Sequence, residues 1–288
     1  MLQRTPARYS AFVATPFKPL SSPRAIEMQT LTTDALRKAF LVEHVIGDAK
    51  LSMTFTDLDR MALGGVRPRR GAVALEKDPE TGAEFFLQRR ELGIINIGGG
   101  GSVRVDAKTH ELANLDCLYV SMGAKSIAFD GAEAKFFLMS CPAHQSFPTT
   151  LVRREQCQPI ALGSQATANQ RKIYQYIHPA GIRSAQLVMG FTELAEGSVW
   201  NTMPPHTHSR RTEIYFYFDL PPNQIVSHFL GRPDATRHVF VQNEQAVLSP
   251  AWSIHCGCGT SAYKFIWAMA GENQVFDDMD KVDAVELR

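Results

Sequence analysis

Pro205–Phe218 reads PHTHSRRTEIYFYF. Taken as extended chain, its side chains alternate between two faces, so His206 and His208 project to the same side and Thr207 away from it. Ser209, Arg210 and Arg211 can make a reversal. In the returning strand Glu213, Tyr215, Tyr217 and Asp219 share one face, and Ile214, Phe216 and Phe218 share the other. If the polar face looks into a barrel, two imidazoles and a carboxylate converge on one ion. The apolar face then packs outward against another layer or subunit. A divalent cation takes three or four nitrogen or oxygen donors at about 2.0–2.2 Å. A fourth donor, His255, follows in SPAWSIHCG (Ser249–Gly257), in the strand after a turn. A His-x-His pair by itself is more often a surface or hydrogen-bonded pair than a ligand set. Glu213 and His255 together turn it into a metal site. The other histidines, His44, His110, His144, His178, His228 and His238, lack such spacing.

Working outward, most of the chain has the period and composition of short strands separated by Gly, Pro, Asn and Asp. EFFLQRR, GIINIGG, LDCLYVS, AKFFLMS, AQLVMGFTEL, QIVSHFLG, TRHVFVQ and AYKFIWAMA are examples. Such spacing predicts an all-β fold of sandwiches or barrels. One helix is expected at Thr32–Ile46, with apolar positions Leu36, Phe40, Leu41 and Val45, and a second, short one in the tail NQVFDDMDKVDAVELR. The glycines Gly98–Gly101 lack the Gly-Lys-Ser/Thr and the helix of a phosphate loop and read as a hairpin turn. Cys117–Ser140 and Ala246–Ala270 resemble one another, each closing on a Lys-Phe strand at Lys135 or Lys264. The chain therefore divides into an extension (1–27) and two β-barrel halves (28–150 and 151–288). The first half carries VRVDAKTHE where a duplicated barrel would repeat the His-x-His pair, so one metal per chain is expected, in the second half.

Composition excludes several partners. The 288 residues are 44% hydrophobic and 20% charged with a formal net charge of +1, which creates no field suited to nucleic acid or an anionic membrane surface. No apolar run reaches the roughly 18–20 residues of a membrane span. Five scattered cysteines argue against a disulfide framework and for a reducing, cytoplasmic location. The proline-interrupted N-terminus, with only the short apolar patch AFVA, reads as a flexible or surface-wrapping extension.

The spacing His-x-His-x4-Glu followed by Pro-x4-His resembles the cupin superfamily, with Trp252 standing where a glycine is usual. A closer resemblance covers nearly the whole chain after about residue 30. LQRRELGIINIGG, LYVSMGAK, WNTMPPHTHSRRTEIYFYF and the long run from Thr236 to Asp280 are similar to the 5-dehydro-4-deoxy-D-glucuronate isomerase family. That resemblance implies two cupin-type barrels or jelly rolls, the first degenerate and metal-free. It implies one zinc ion on His206, His208, Glu213 and His255, and a homohexamer. The implied reaction is an aldose–ketose isomerisation in uronate and pectin degradation, an intramolecular oxidoreduction giving 3-deoxy-D-glycero-2,5-hexodiulosonate.

The chemistry suits a metal site, since moving a proton between adjacent carbons passes through an enediol whose charge a Lewis acid stabilises. Candidates for the proton-transfer group are Tyr215 and Tyr217, on the ligand face, and Glu244. Arg171 and Arg211 are the candidate forks for the substrate carboxylate. Two other readings stay open: a different metal-cupin enzyme such as an iron dioxygenase, and a non-catalytic sugar-binding cupin whose ion is structural.

Overall fold

The computed structural model describes residues 17–78 and 81–288; residues 1–16 of the expected extension lie outside the described residues. Two large sheets, of eight and seven strands, stand back to back, and each is faced by a four-stranded sheet. The alternation read from sequence explains the layering. Ile214 and Phe216, on the apolar face of Arg211–Phe218, pack in one buried cluster with Ile95, Phe137 and Met139 of the first half. Phe137 stacks on Phe216 with ring centroids 4.5 Å apart. The opposite face, with Tyr215 and Tyr217, lines the interior of the second half alongside Val226, Phe265 and Trp267.

The internal likeness seen in the sequence is a repeat of topology. In the eight-stranded sheet Arg90–Asn96 lies between Phe136–Pro142 and Cys117–Val120; in the seven-stranded sheet Arg211–Phe218 lies between Lys264–Gly271 and Gln245–Ser249. The small sheets correspond likewise: Ile127–Asp130, Gly101–Val105 and Lys108–Leu112 match Ile254–Gly259, Val226–Arg232 and Ala235–Val241. Both halves are cupin-type jelly rolls. Register gives the detail that matters for the site. Glu213 pairs with Met269 five residues after Lys264, and Leu92 pairs with Ser140 five after Lys135, so Leu92 holds the place of Glu213. Around Leu92 the first interior is filled by Ile94, Val103, Leu118, Phe136 and Leu138.

Three local expectations are corrected. The helix covers Thr33–Phe40, capped by Thr32 Oγ1 accepting from the Ala35 N–H at 3.3 Å, and stops well short of Ile46. Leu41 is extended and, with Val42, pairs with Val247 and Ala246 at the edge of the seven-stranded sheet. Sheet hydrogen bonds and burial there outweigh another helical turn. The tail forms a two-residue strand, Asp280–Lys281, antiparallel to His206–Thr207, and only a single 3-10 turn at Ala284–Glu286. Arg210 draws it extended by pairing with both Asp278 and Asp280. Finally, Gly98–Gly101 carries the chain from the eight-stranded sheet to its facing sheet; it does not close a hairpin. Within the expected extension, Phe17–Leu20 pairs in parallel with Met53–Thr56 at the edge of the eight-stranded sheet.

Candidate metal centre

Three elements deliver the four expected donors. The short strand His206–Thr207 and the turn after it place His206 and His208, the strand Arg211–Phe218 places Glu213, and Ile254–Gly259 places His255. Their donor atoms all lie within 4.8 Å of one another. His206 Nε2 is 3.2 Å from His208 Nε2 and 3.1 Å from His255 Nε2. Glu213 Oε2 is 3.0 Å from His208 Nε2 and 2.8 Å from His255 Nε2. Tetrahedral bonds of about 2.1 Å separate donors by roughly 3.4 Å, so an ion fits after a shift of a few tenths of an ångström.

The outer nitrogens show why the inner ones face inward. His208 Nδ1 lies 2.8 Å from the carbonyl oxygen of Asp278, which can only accept. His255 Nδ1 is 3.2 Å from Ser249 Oγ, and His206 Nδ1 is 3.5 Å from the Pro204 carbonyl. Placing the protons on Nδ1 leaves three Nε2 lone pairs and a carboxylate facing one another, an arrangement that a bound cation satisfies. Burial pushes His206 down to about 3, with His255 adding to it, so this imidazole is neutral at ordinary pH. Burial alone would raise the Glu213 carboxyl, but His255 and His208 outweigh it and hold the group well below the usual carboxylate range. A neutral-imidazole and carboxylate set is the ligand chemistry of zinc, manganese or iron.

The cluster opens onto a cavity of about 190 Å³. His206, His208 and Glu213 line it, together with Arg171, Thr202 and Tyr215, and apolar side chains from Phe265, Trp267, Met269 and Phe276 form much of its wall. Tyr215 is buried, its ring 5.4 Å from that of His255, and its hydroxyl lies 2.8 Å from Thr202 Oγ1. Burial raises its pKa well above the ordinary value. Arg171 donates to the carbonyl oxygens of Asn169 and Met203 at 2.9 and 3.3 Å, and burial lowers its pKa.

The other candidates stand elsewhere. The Tyr217 hydroxyl is 2.7 Å from His228 Nδ1, deep in the barrel and behind the cavity. Arg211 is buried behind His208, donating to the carbonyl oxygens of Val275 and Asp278 at 2.7 and 2.8 Å. It holds the carbonyl that orients His208 and does not line the cavity. Glu244 is not brought to the site: it sits at the far end of its strand pair, its backbone N–H bonded to the Tyr217 carbonyl. Its carboxylate pairs with Lys135 and, at 3.8 Å, with Arg67. Sequence reading missed Thr202, Phe276 and Lys281. Phe265, Trp267 and Met269 were within its reach, because they alternate along Lys264–Gly271 as Glu213 and Tyr215 do along theirs.

Comparison with known proteins agrees with this architecture. A relative from Opitutus terrae is 52% identical over 272 residues, 93% of this chain and 98% of the relative. One from Escherichia coli O157:H7 is 47% identical over 266 residues, 90% and 96% of the two chains. Both bear the name 4-deoxy-L-threo-5-hexosulose-uronate ketol-isomerase. Among solved structures, an IolB-like protein from Salmonella typhimurium superposes with a TM-score of 0.65 at 14% identity, covering 78% of this chain and 89% of that one. An oxalate decarboxylase formate complex from Lactobacillus farciminis gives 0.54 at 10% identity, covering 78% and 79%. These structural likenesses speak to the fold alone. The model of the KduI/IolB family matches residues 53–284, and the chain belongs to that family.

Proposed function

We propose that this protein is the ketol-isomerase that converts 5-dehydro-4-deoxy-D-glucuronate to 3-deoxy-D-glycero-2,5-hexodiulosonate. The observation that carries the reading is a four-donor centre at the wall of a cavity that also holds a buried guanidinium and a buried phenol. Identity of about half with isomerases over nearly their full length supports it. The metal is assigned as zinc, one per chain, on His206, His208, Glu213 and His255. This places it in the 151–288 half, while 28–150 forms the metal-free half.

A divalent ion bound there supplies Lewis-acid polarisation of the substrate carbonyl. The remaining work falls to side chains of the chain itself. Arg171 is given the substrate carboxylate: two of its N–H groups hold backbone carbonyls, which fixes the fork, and among the described residues no other hydrogen bond engages the rest. Tyr215 is assigned the hydrogen bond to the reacting oxygens and the handling of their proton. Phe265, Trp267 and Phe276 exclude water, which strengthens each polar contact inside. Tyr217 and Arg211 take supporting roles, the first in the barrel interior and the second behind His208.

The protein is further assigned to the cytoplasm as a homohexamer with a small uronate as its partner. Among the described residues no helix is long and apolar enough to cross a membrane. The edge strand Ile160–Leu162 leaves Ile160 and Leu162 over 40% exposed, the kind of apolar edge that another copy covers.

Metal analysis of the purified protein, paired with an NMR assay on the 4-deoxy-5-keto uronate released by a pectate lyase, tests the reading. Loss of the aldehyde signal and its replacement by ketone and primary-alcohol signals is expected. An unchanged aldehyde signal with metal-loaded protein rejects the function.

A further inference from the structure

Thr202 has φ of +51°, and among the described residues it is the only β-branched one at positive φ. A branched Cβ in that region crowds the backbone, so the conformation persists only where surrounding structure enforces it, and such residues cluster at functional sites. Here the strained backbone carries a hydroxyl that lines the cavity, and its Oγ1 lies 2.8 Å from the Tyr215 hydroxyl oxygen. No other hydrogen bond to the Tyr215 hydroxyl is present among the described residues. Tyr217 differs: its hydroxyl is tied to His228 and Asn201, away from the cavity.

We propose that Thr202 is a positioning residue that locks the Tyr215 hydroxyl onto the reacting oxygens of an α-hydroxy carbonyl substrate. The inference rests on the isomerase reading and on the role given to Tyr215. If Thr202 donates its O–H to Tyr215, the phenolic O–H is free to point into the cavity and donate to a carbonyl oxygen. If Tyr215 donates instead, its remaining lone pair faces the cavity and accepts from a hydroxyl. One rotor pair thereby serves both groups of an α-hydroxy aldehyde and of the α-hydroxy ketone it becomes. A phenol without this partner turns about its C–O bond and spends only part of its time aligned.

The test uses metal-loaded, full-length protein and four variants: Thr202→Val, Thr202→Ser, Tyr215→Phe and the Thr202→Val/Tyr215→Phe pair. Thr202→Val is expected to lower kcat about tenfold, with KM within about threefold and metal content unchanged. Thr202→Ser, which keeps the hydroxyl, is expected to stay within about threefold of the parent. The double variant is expected to be no slower than Tyr215→Phe alone, because both substitutions remove one coupled unit. Should Thr202→Val fold poorly, Thr202→Gly tolerates the positive φ, also lacks the hydroxyl, and is expected to show the same loss. Wild-type kcat in Thr202→Val beside an impaired Tyr215→Phe overturns the positioning role, as do losses that multiply in the double variant. Full activity of Tyr215→Phe overturns it together with the role of Tyr215, yet leaves the isomerase reading standing. No turnover by the parent protein overturns both.

Discussion

At the scale of single residues the centre is a problem of charge. Three buried imidazole nitrogens and one carboxylate face each other at 2.8–3.2 Å, and a cation resolves the conflict. Glu213→Gln keeps the shape and removes the anion, so metal affinity is expected to fall about 10–100-fold or more. Elemental analysis after dialysis against a weak chelator reads this; full occupancy at parent affinity contradicts the ligand assignment. Behind the site, burial pushes His228 from its ordinary 6.5 down to about 3. Between those values the unfolded chain takes up a proton that the folded chain refuses. Stability is therefore unaffected by this group above about pH 6.5 and is lost as pH falls towards 3, by about 1.4 kcal/mol per pH unit. His228→Gln is expected to flatten the acid limb of a stability-against-pH curve by that slope. Residues such as His206, His208, Glu213 and His255 were legible from spacing because period-two alternation fixes who shares a face. Thr202 was not, since nothing local announces a positive φ at a threonine.

At the scale of elements, two devices tie distant segments together, one at the cavity wall and one between the halves. The C-terminal arm crosses the site as Asp280–Lys281 beside His206, and Arg210 clamps it through Asp278 and Asp280. Arg210→Ala is expected to speed hydrogen exchange of residues 276–281 and raise KM, while the melting temperature moves by only a few degrees, because the clamp is partly exposed. The second device joins the halves. Buried Glu91 accepts from the backbone N–H groups of Ala185, Gln186 and Leu187 and from the Tyr119 hydroxyl. Glu91→Ala strands these donors and is expected to cost about 3 kcal/mol or more, at roughly 1–3 per orphaned group, read by urea unfolding. Neither device was visible in the sequence. Asp278 and Glu91 look like ordinary surface acids until the fold brings them to partners 68 and 95 residues away in the chain.

Across the whole molecule, stability and site geometry depend on two jelly rolls packed back to back through Phe137, Phe216 and their neighbours. Phe216→Ala opens a cavity in that contact and is expected to cost about 3–5 kcal/mol, measured by denaturant unfolding. It also loosens the strand that carries Glu213, so weaker metal retention is expected alongside the lower stability. The all-β class, the repeat and the inward and outward faces of Arg211–Phe218 were legible from sequence alone, because side-chain alternation is a property of extended backbone wherever it lies. The same alternation, with His255 downstream, marked the four residues whose donor atoms the fold brings together. Only the tertiary structure decided which candidates line the cavity. It put Tyr215 and Arg171 on the cavity, sent Glu244 into an ion pair with Lys135 and turned Arg211 to the back of His208. Those outcomes depend on strand register and on pairings between distant segments, and sequence spacing carries no information about where a long side chain finds its partner.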